Sequence, residues 1–210
     1  MSKKVLEIKR VKFDVKGLAD SLCISEKHVI STFRDGRTAS RFTEFWSSNL
    51  HGYEVNTSPC AKDNDGFVKC VGDFKSPLSA KVLSKQGVKF QFSRNVGQGR
   101  TCTTDDVIKA LESADWYCII DIREFPISNF MVLNSKLILK WIRTGDLSTS
   151  GLTAKKFYLL LSQYFEDIIE RSYIYDSNTK LFVQSNDIIS EKIEDFPYKD
   201  SGTLMDVFGE

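Results

Sequence analysis

The segment Trp116-Tyr117-Cys118-Ile119-Ile120-Asp121-Ile122 restricts the fold more than any other. It is almost continuously apolar, β-branched and aromatic, the pattern of a strand buried within a sheet. Helical periodicities surround it. Residues 103–114 place Val107, Ile108 and Leu111 on one face, with Thr103 or Thr104 as the cap. Residues 38–50 direct Phe42, Phe45 or Trp46, and Leu50 to one side. A second strand, Asn129-Phe130-Met131-Val132-Leu133, follows the Phe125-Pro126 break, and a final strand, Lys180-Leu181-Phe182-Val183-Gln184, precedes the acidic tail. Further helices are expected over 135–143 and 153–170, the latter carrying Phe157, Leu160, Leu161, Tyr164, Phe165, Ile168 and Ile169. This order predicts an α/β chain with a mixed central sheet flanked by helices.

At 210 residues the chain suits one compact domain with at most a small appendage. The pattern divides it into an N-terminal helical segment (1–36), an α/β core (37–173) and a C-terminal strand with an acidic tail (174–210). No run approaches roughly 18 apolar residues, which excludes a membrane-spanning helix. The N-terminus is basic without an apolar signal region, so a cytoplasmic protein is expected. Five cysteines without C-x-x-C spacing and only two histidines disfavour a zinc site.

The net charge of +1 conceals an uneven distribution. Lys69, Lys75, Lys81, Lys85, Lys89, Arg94 and Arg100 stand against the single acid Asp73, whereas acids outnumber Lys180, Lys192 and Lys199 after residue 174. A basic middle beside an acidic tail predicts a side that faces a polyanion.

Within the basic region lies Asp65-Gly66-Phe67-Val68-Lys69-Cys70-Val71-Gly72-Asp73-Phe74-Lys75. A carboxylate at the start of a short apolar strand and Asp-x-Lys at its end suit metal-dependent phosphodiester cleavage. Asp65 and Asp73 can hold a hard divalent cation such as Mg²⁺. Lys75, two residues from Asp73, projects to the same strand face. There it can orient a water or stabilise charge on phosphorus.

This arrangement resembles the PD-(D/E)XK nuclease superfamily, which includes most type II restriction endonucleases. The resemblance covers residues 38–133 in arrangement but only Asp65, Asp73 and Lys75 in motif, and the family's leading Pro-Asp is absent. It implies a Mg²⁺-dependent endonuclease acting on double-stranded DNA, commonly as a homodimer on a palindromic site. It also implies an optional third carboxylate from the preceding helix, here Glu44. A second register exists. Pro77 lacks an N–H and is expected to interrupt the strand. Ser79-Ala80-Lys81 would then hold the (D/E)-x-K position, with serine replacing the acid and Asp65 working with Glu44. Asp73/Lys75 is preferred because it requires no substitution.

Downstream, Gly87-Val88-Lys89-Phe90-Gln91-Phe92-Ser93 alternates polar and apolar residues as a strand, then opens into a loop with Arg94, Gln98 and Arg100. Lys85 and Lys89 suit phosphates, and Gln91, Arg94, Gln98 and Arg100 suit base edges. Residues 17–36 have helix–turn–helix spacing, with Leu18, Ala19, Leu22, Val29 and Phe33 inward, Ser25 as the second cap, and Cys23 where a turn glycine is expected. A non-catalytic helix–turn–helix DNA-binding regulator is therefore the alternative reading.

Overall fold

The computed structural model describes residues 6–55, 65–69, 75–92, 101–163, 168–176 and 178–185. Its centre is an eight-stranded mixed sheet. The elements are β1 (Leu6–Phe13), α1 (Val15–Leu22), α2 (Glu26–Arg34), α3 (Gly36–His51), β2 (Glu54–Val55), β3 (Gly66–Lys69), β4 (Lys75–Leu83), α4 (Thr104–Glu112), β5 (Trp116–Asp121), β6 (Ile127–Asn134), α5 (Ser135–Arg143), α6 (Ala154–Ser162), β7 (Ile168–Asp176) and β8 (Leu181–Gln184). The strands lie in the order β2-β3-β4-β5-β6-β1-β7-β8. β2, β3 and β4 pair antiparallel in succession, and α4 carries the chain from β4 to a parallel β5.

β5 is buried on both faces, as its composition requires. Tyr117 and Ile119 enter a core with Leu111, Trp141 and Phe157, while Cys118 and Ile120 enter a second core with Phe33, Trp46 and Phe125. The second core fixes α3. Trp46 lies 4.4 Å from Phe13 and 5.0 Å from Phe33, and Phe33 lies 5.2 Å from Phe125, between ring centroids. Each such aromatic pair adds about 0.5–1.5 kcal/mol beyond its area burial. On the other side, α4 begins at a capping box in which Thr103 and Asp106 exchange hydrogen bonds.

Several sequence expectations change. The N-terminal segment is not purely helical: residues 6–13 form β1, between β6 and β7. Its cations disguise it, and Lys9 reaches over the Tyr173 ring to donate to the Leu50 carbonyl at 2.8 Å. The helix expected over 153–170 ends at Ser162, and β7 runs parallel to β1. A boundary at 173/174 therefore falls inside a strand. Pro77 does not interrupt β4 but sits within it, opposite Phe67.

Leu22, Phe42 and Phe45 are 43%, 42% and 43% exposed rather than inward. In α3 the inward stripe is Ala39, Thr43, Trp46, Ser47 and Leu50, so small polar residues take places expected for phenylalanine. The strand expected from Gly87 is reduced to single bridges, Ser84 with Gly87 and Val88 with Leu152. There the chain approaches 148–152 so closely that a Cβ on Gly87 or Gly151, both at positive φ, would overlap the other segment's carbonyl.

Candidate functional site

α3 carries Glu44. The Asp35 side chain caps its start by accepting from the Arg37 N–H at 2.9 Å, and Gly52 ends it in the left-handed region at φ 70°. Ser47 Oγ anchors the helix to the sheet by donating to Cys118 Sγ at 2.8 Å. Tyr53 locks the exit: its hydroxyl donates to the Glu44 carbonyl at 3.1 Å, and its own carbonyl accepts from Ser48 Oγ. The Glu44 side chain, 14% exposed, accepts from Arg41 Nη1 at 2.9 Å.

Asp65 immediately precedes β3. Gly66 pairs with Leu78, so Asp65 stands beside Ser79 across the strands. Its N–H donates to the Leu78 carbonyl at 3.0 Å. Its Oδ2 accepts from Ser79 Oγ at 2.9 Å and from the Ala80 N–H at 2.8 Å. Among the described residues no donor reaches Oδ1. Ser79 is buried, and Lys81, two residues on, projects to the same face of β4. Lys81 makes no hydrogen bond or ion pair among the described residues. Beyond Leu78, β4 pairs with β5 and, among the described residues, with no strand on its other side.

The charges of these groups interact. Burial raises the Glu44 pKa first and the Asp65 carboxylate raises it further, while Arg41 and Lys81 oppose the rise. Burial, and then the charge of Asp65, push the Tyr117 phenol upward. Tyr53 is raised by burial, then by Cys118, with smaller contributions from Asp65 and Glu44. Both tyrosines therefore remain hydrogen-bond donors beside the carboxylates. Glu44 thus stands within reach of the charges of Asp65 and Lys81, which act on it in opposite directions.

The donor set fits Mg²⁺. Two hard carboxylates suffice for an ion that keeps most of its water. No group of three or more histidine, cysteine or acidic side chains suited to a metal occurs among the described residues. Glu44 and Asp65 would hold the ion.

The register separates Asp65 from the preferred lysine. Lys75 starts β4 opposite Lys69, at the far end of the hairpin from Asp65, about 13 Å along the strand from Ser79 at about 3.3 Å per residue. Asp73 lies outside the described residues. Of the second register, the structure sets Asp65 beside Ser79, with Lys81 two residues further along β4 and Glu44 on α3 within reach of the charges of Asp65 and Lys81. Lys85 and Lys89 are exposed on the chain leaving β4, whereas Gln91 is 8% exposed and does not belong to an open face. Arg94, Gln98 and Arg100 lie outside the described residues.

Sequence reasoning missed Arg41, although Arg41-x-x-Glu44 has the spacing of a helical ion pair. Of the helix–turn–helix positions, Leu18, Ala19, Val29 and Phe33 are buried, and Ser25 Oγ accepts from the His28 N–H at 3.3 Å. Cys23 takes the left-handed conformation of a turn glycine, at φ 54°. No helix among the described residues is long and apolar enough to cross a membrane. No family model matches the chain, and neither does any curated protein or solved structure.

Proposed function

We propose that the chain is a Mg²⁺-dependent endonuclease that hydrolyses phosphodiester bonds of double-stranded DNA, built on a PD-(D/E)XK-like core. One observation carries this reading: Ser79 holds the Asp65 carboxylate on β4, two residues from Lys81, and Glu44 of α3 feels the charges of both Asp65 and Lys81. The order β2-β3-β4-β5, with an α4 crossover to a parallel β5, agrees with the core expected for that superfamily.

The roles follow from the contacts. Ser79 Oγ and the Ala80 N–H fix one Asp65 oxygen, and among the described residues no donor occupies the other. Glu44 supplies the second carboxylate from a helix that cannot rotate, because Trp46 and Leu50 are buried beneath it. The bound ion supplies Lewis acidity and lowers the pKa of water. Lys81 stands where it can orient the attacking water or balance charge on phosphorus. Water oxygen bonds to phosphorus, one bridging P–O bond breaks, and the leaving oxygen takes up a proton. Lys85 and Lys89 extend the positive surface toward the DNA backbone.

A two-fold homodimer acting as a type II restriction enzyme is the form we favour, because a symmetric dimer matches a palindromic site. A second reading rests on the turn at Cys23, which makes α1–α2 a candidate DNA-reading pair in a non-catalytic regulator. Digestion of a sequenced plasmid separates the two. The nuclease gives discrete fragments with Mg²⁺ or Mn²⁺ and none with EDTA. A regulator retards the plasmid in either condition and cuts it in neither.

A further inference from the structure

We propose that Arg41 occupies the Glu44 carboxylate in place of the divalent cation, and that cation binding releases it to a DNA phosphate. The inference rests on the nuclease reading and specifies how metal and substrate are coupled at that site.

Three observations carry it. Arg41 Nη1 lies 2.9 Å from Glu44 Oε2, which is the carboxylate proposed to ligate the ion. The partners differ in freedom: the Arg41 side chain is 57% exposed and Glu44 only 14%. The arginine can therefore move away at little cost in packing, whereas Glu44 remains where α3 holds it. Finally, the guanidinium lies 5.6 Å above the ring of Phe45, itself exposed on the outward surface of the helix. The guanidinium thus touches the exposed ring and Glu44 at once, and release from the carboxylate leaves the ring as its remaining partner at the surface.

The charges favour an exchange. A carboxylate pair without a cation needs compensation, and Arg41 and Lys81 supply it. A divalent ion replaces the compensation given by Arg41 and repels the guanidinium. Arg37 lies one turn earlier on the helix and is also exposed. A released Arg41 would join it in a row of planar donors suited to phosphates. By linkage, the metal then raises DNA affinity and DNA raises metal affinity by the same factor.

A surface ion pair of purely structural significance would not alter metal affinity, so titration of the full-length protein with Mn²⁺ decides. Measured calorimetrically without DNA, Arg41→Ala is expected to bind Mn²⁺ about three- to tenfold more tightly than the parent, because the competing pair and its repulsion are gone. Arg41→Lys should fall between them. In fluorescence anisotropy with a duplex and Ca²⁺ in place of Mg²⁺, the parent gains affinity on metal addition, and Arg41→Ala loses most of that gain. Unchanged or weaker Mn²⁺ binding by Arg41→Ala, with binding abolished in Asp65→Ala, overturns the exchange and leaves the site standing. An undiminished metal-dependent gain in duplex affinity in Arg41→Ala overturns it equally. Parental Mn²⁺ binding by Asp65→Ala overturns the site itself and the exchange with it.

Discussion

Replacing Ser79 with aspartate would restore the acid of a (D/E)-x-K triplet and turn the candidate site into a metal-dependent stability switch. Ser79 Oγ now donates to Asp65 Oδ2 at 2.9 Å from a buried position. Ser79→Asp removes this bond to a charged group, a loss of about 1.5–3 kcal/mol. It also sets a second carboxylate against the first, where like charges about 4 Å apart cost about 4 kcal/mol at an effective dielectric of 20. Protonating one acid at pH 7 does not escape the penalty, since raising a carboxyl pKa by three units costs about 4 kcal/mol. The variant should therefore be about 5.5–7 kcal/mol less stable without metal, a fall in Tm of about 11–28 °C for a chain of this size.

A bound cation converts the repulsion into shared ligation, so saturating Mg²⁺ should recover at least half of the loss. Ser79→Asn removes the hydroxyl donor without adding charge. It should lose about 3–12 °C and respond to Mg²⁺ as the parent does. The assay is thermal unfolding of all three proteins in EDTA and in Mg²⁺. An equal Mg²⁺ response in the aspartate and asparagine variants, or an aspartate variant as stable as the parent in EDTA, would refute the reasoning.

Lys81→Ala should abolish plasmid cleavage, while Lys75→Ala only weakens duplex binding; the reverse ranking in a cleavage assay would return the site to Asp73-x-Lys75. Glu44 has a pKa above its ordinary value of 4.5 in the folded protein, so folding retains its proton more tightly than unfolding does. Metal-free stability should therefore fall as pH rises from about 4.5 through the raised value and then level off. Glu44→Gln should flatten that decline in urea unfolding measured from pH 4 to 8, and Mn²⁺ affinity in the parent should rise over the same interval. Gly87→Ala should cost more than about 2 kcal/mol in urea unfolding, because a side chain at φ 90° also meets the Leu152 carbonyl.

The parts of this fold legible in the sequence are those where one physical requirement dominates. β5 could be read because burial on both faces leaves no room for polar residues, and α4 because its cap and apolar stripe agree. β1 escaped because Lys9, Arg10 and Lys12 mask a strand whose buried residues are Ile8, Val11 and Phe13. β7 escaped because Ile168 and Ile169 continue the helical spacing of α6, and only pairing with β1 makes them a strand.

The site was half legible. Asp65 and Glu44 could be named as carboxylates on a strand start and a preceding helix. Which lysine joins them depends on the β3–β4 register, and that is set by the length of the turn rather than by local pattern. The intact Asp73-x-Lys75 triplet favoured Lys75; pairing across the strands places Ser79 beside Asp65, with Lys81 on the same face as Ser79.

The central claim is most directly tested on Asp65. Asp65→Ala removes a carboxylate proposed to hold the ion, and with it Lewis-acid assistance worth several kcal/mol. Purified parent and variant should be compared on one plasmid with Mg²⁺, and on one duplex in binding. The account predicts cleavage by the parent and none by Asp65→Ala, with duplex affinity in metal-free buffer retained. Cleavage by Asp65→Ala at the parental rate would contradict it.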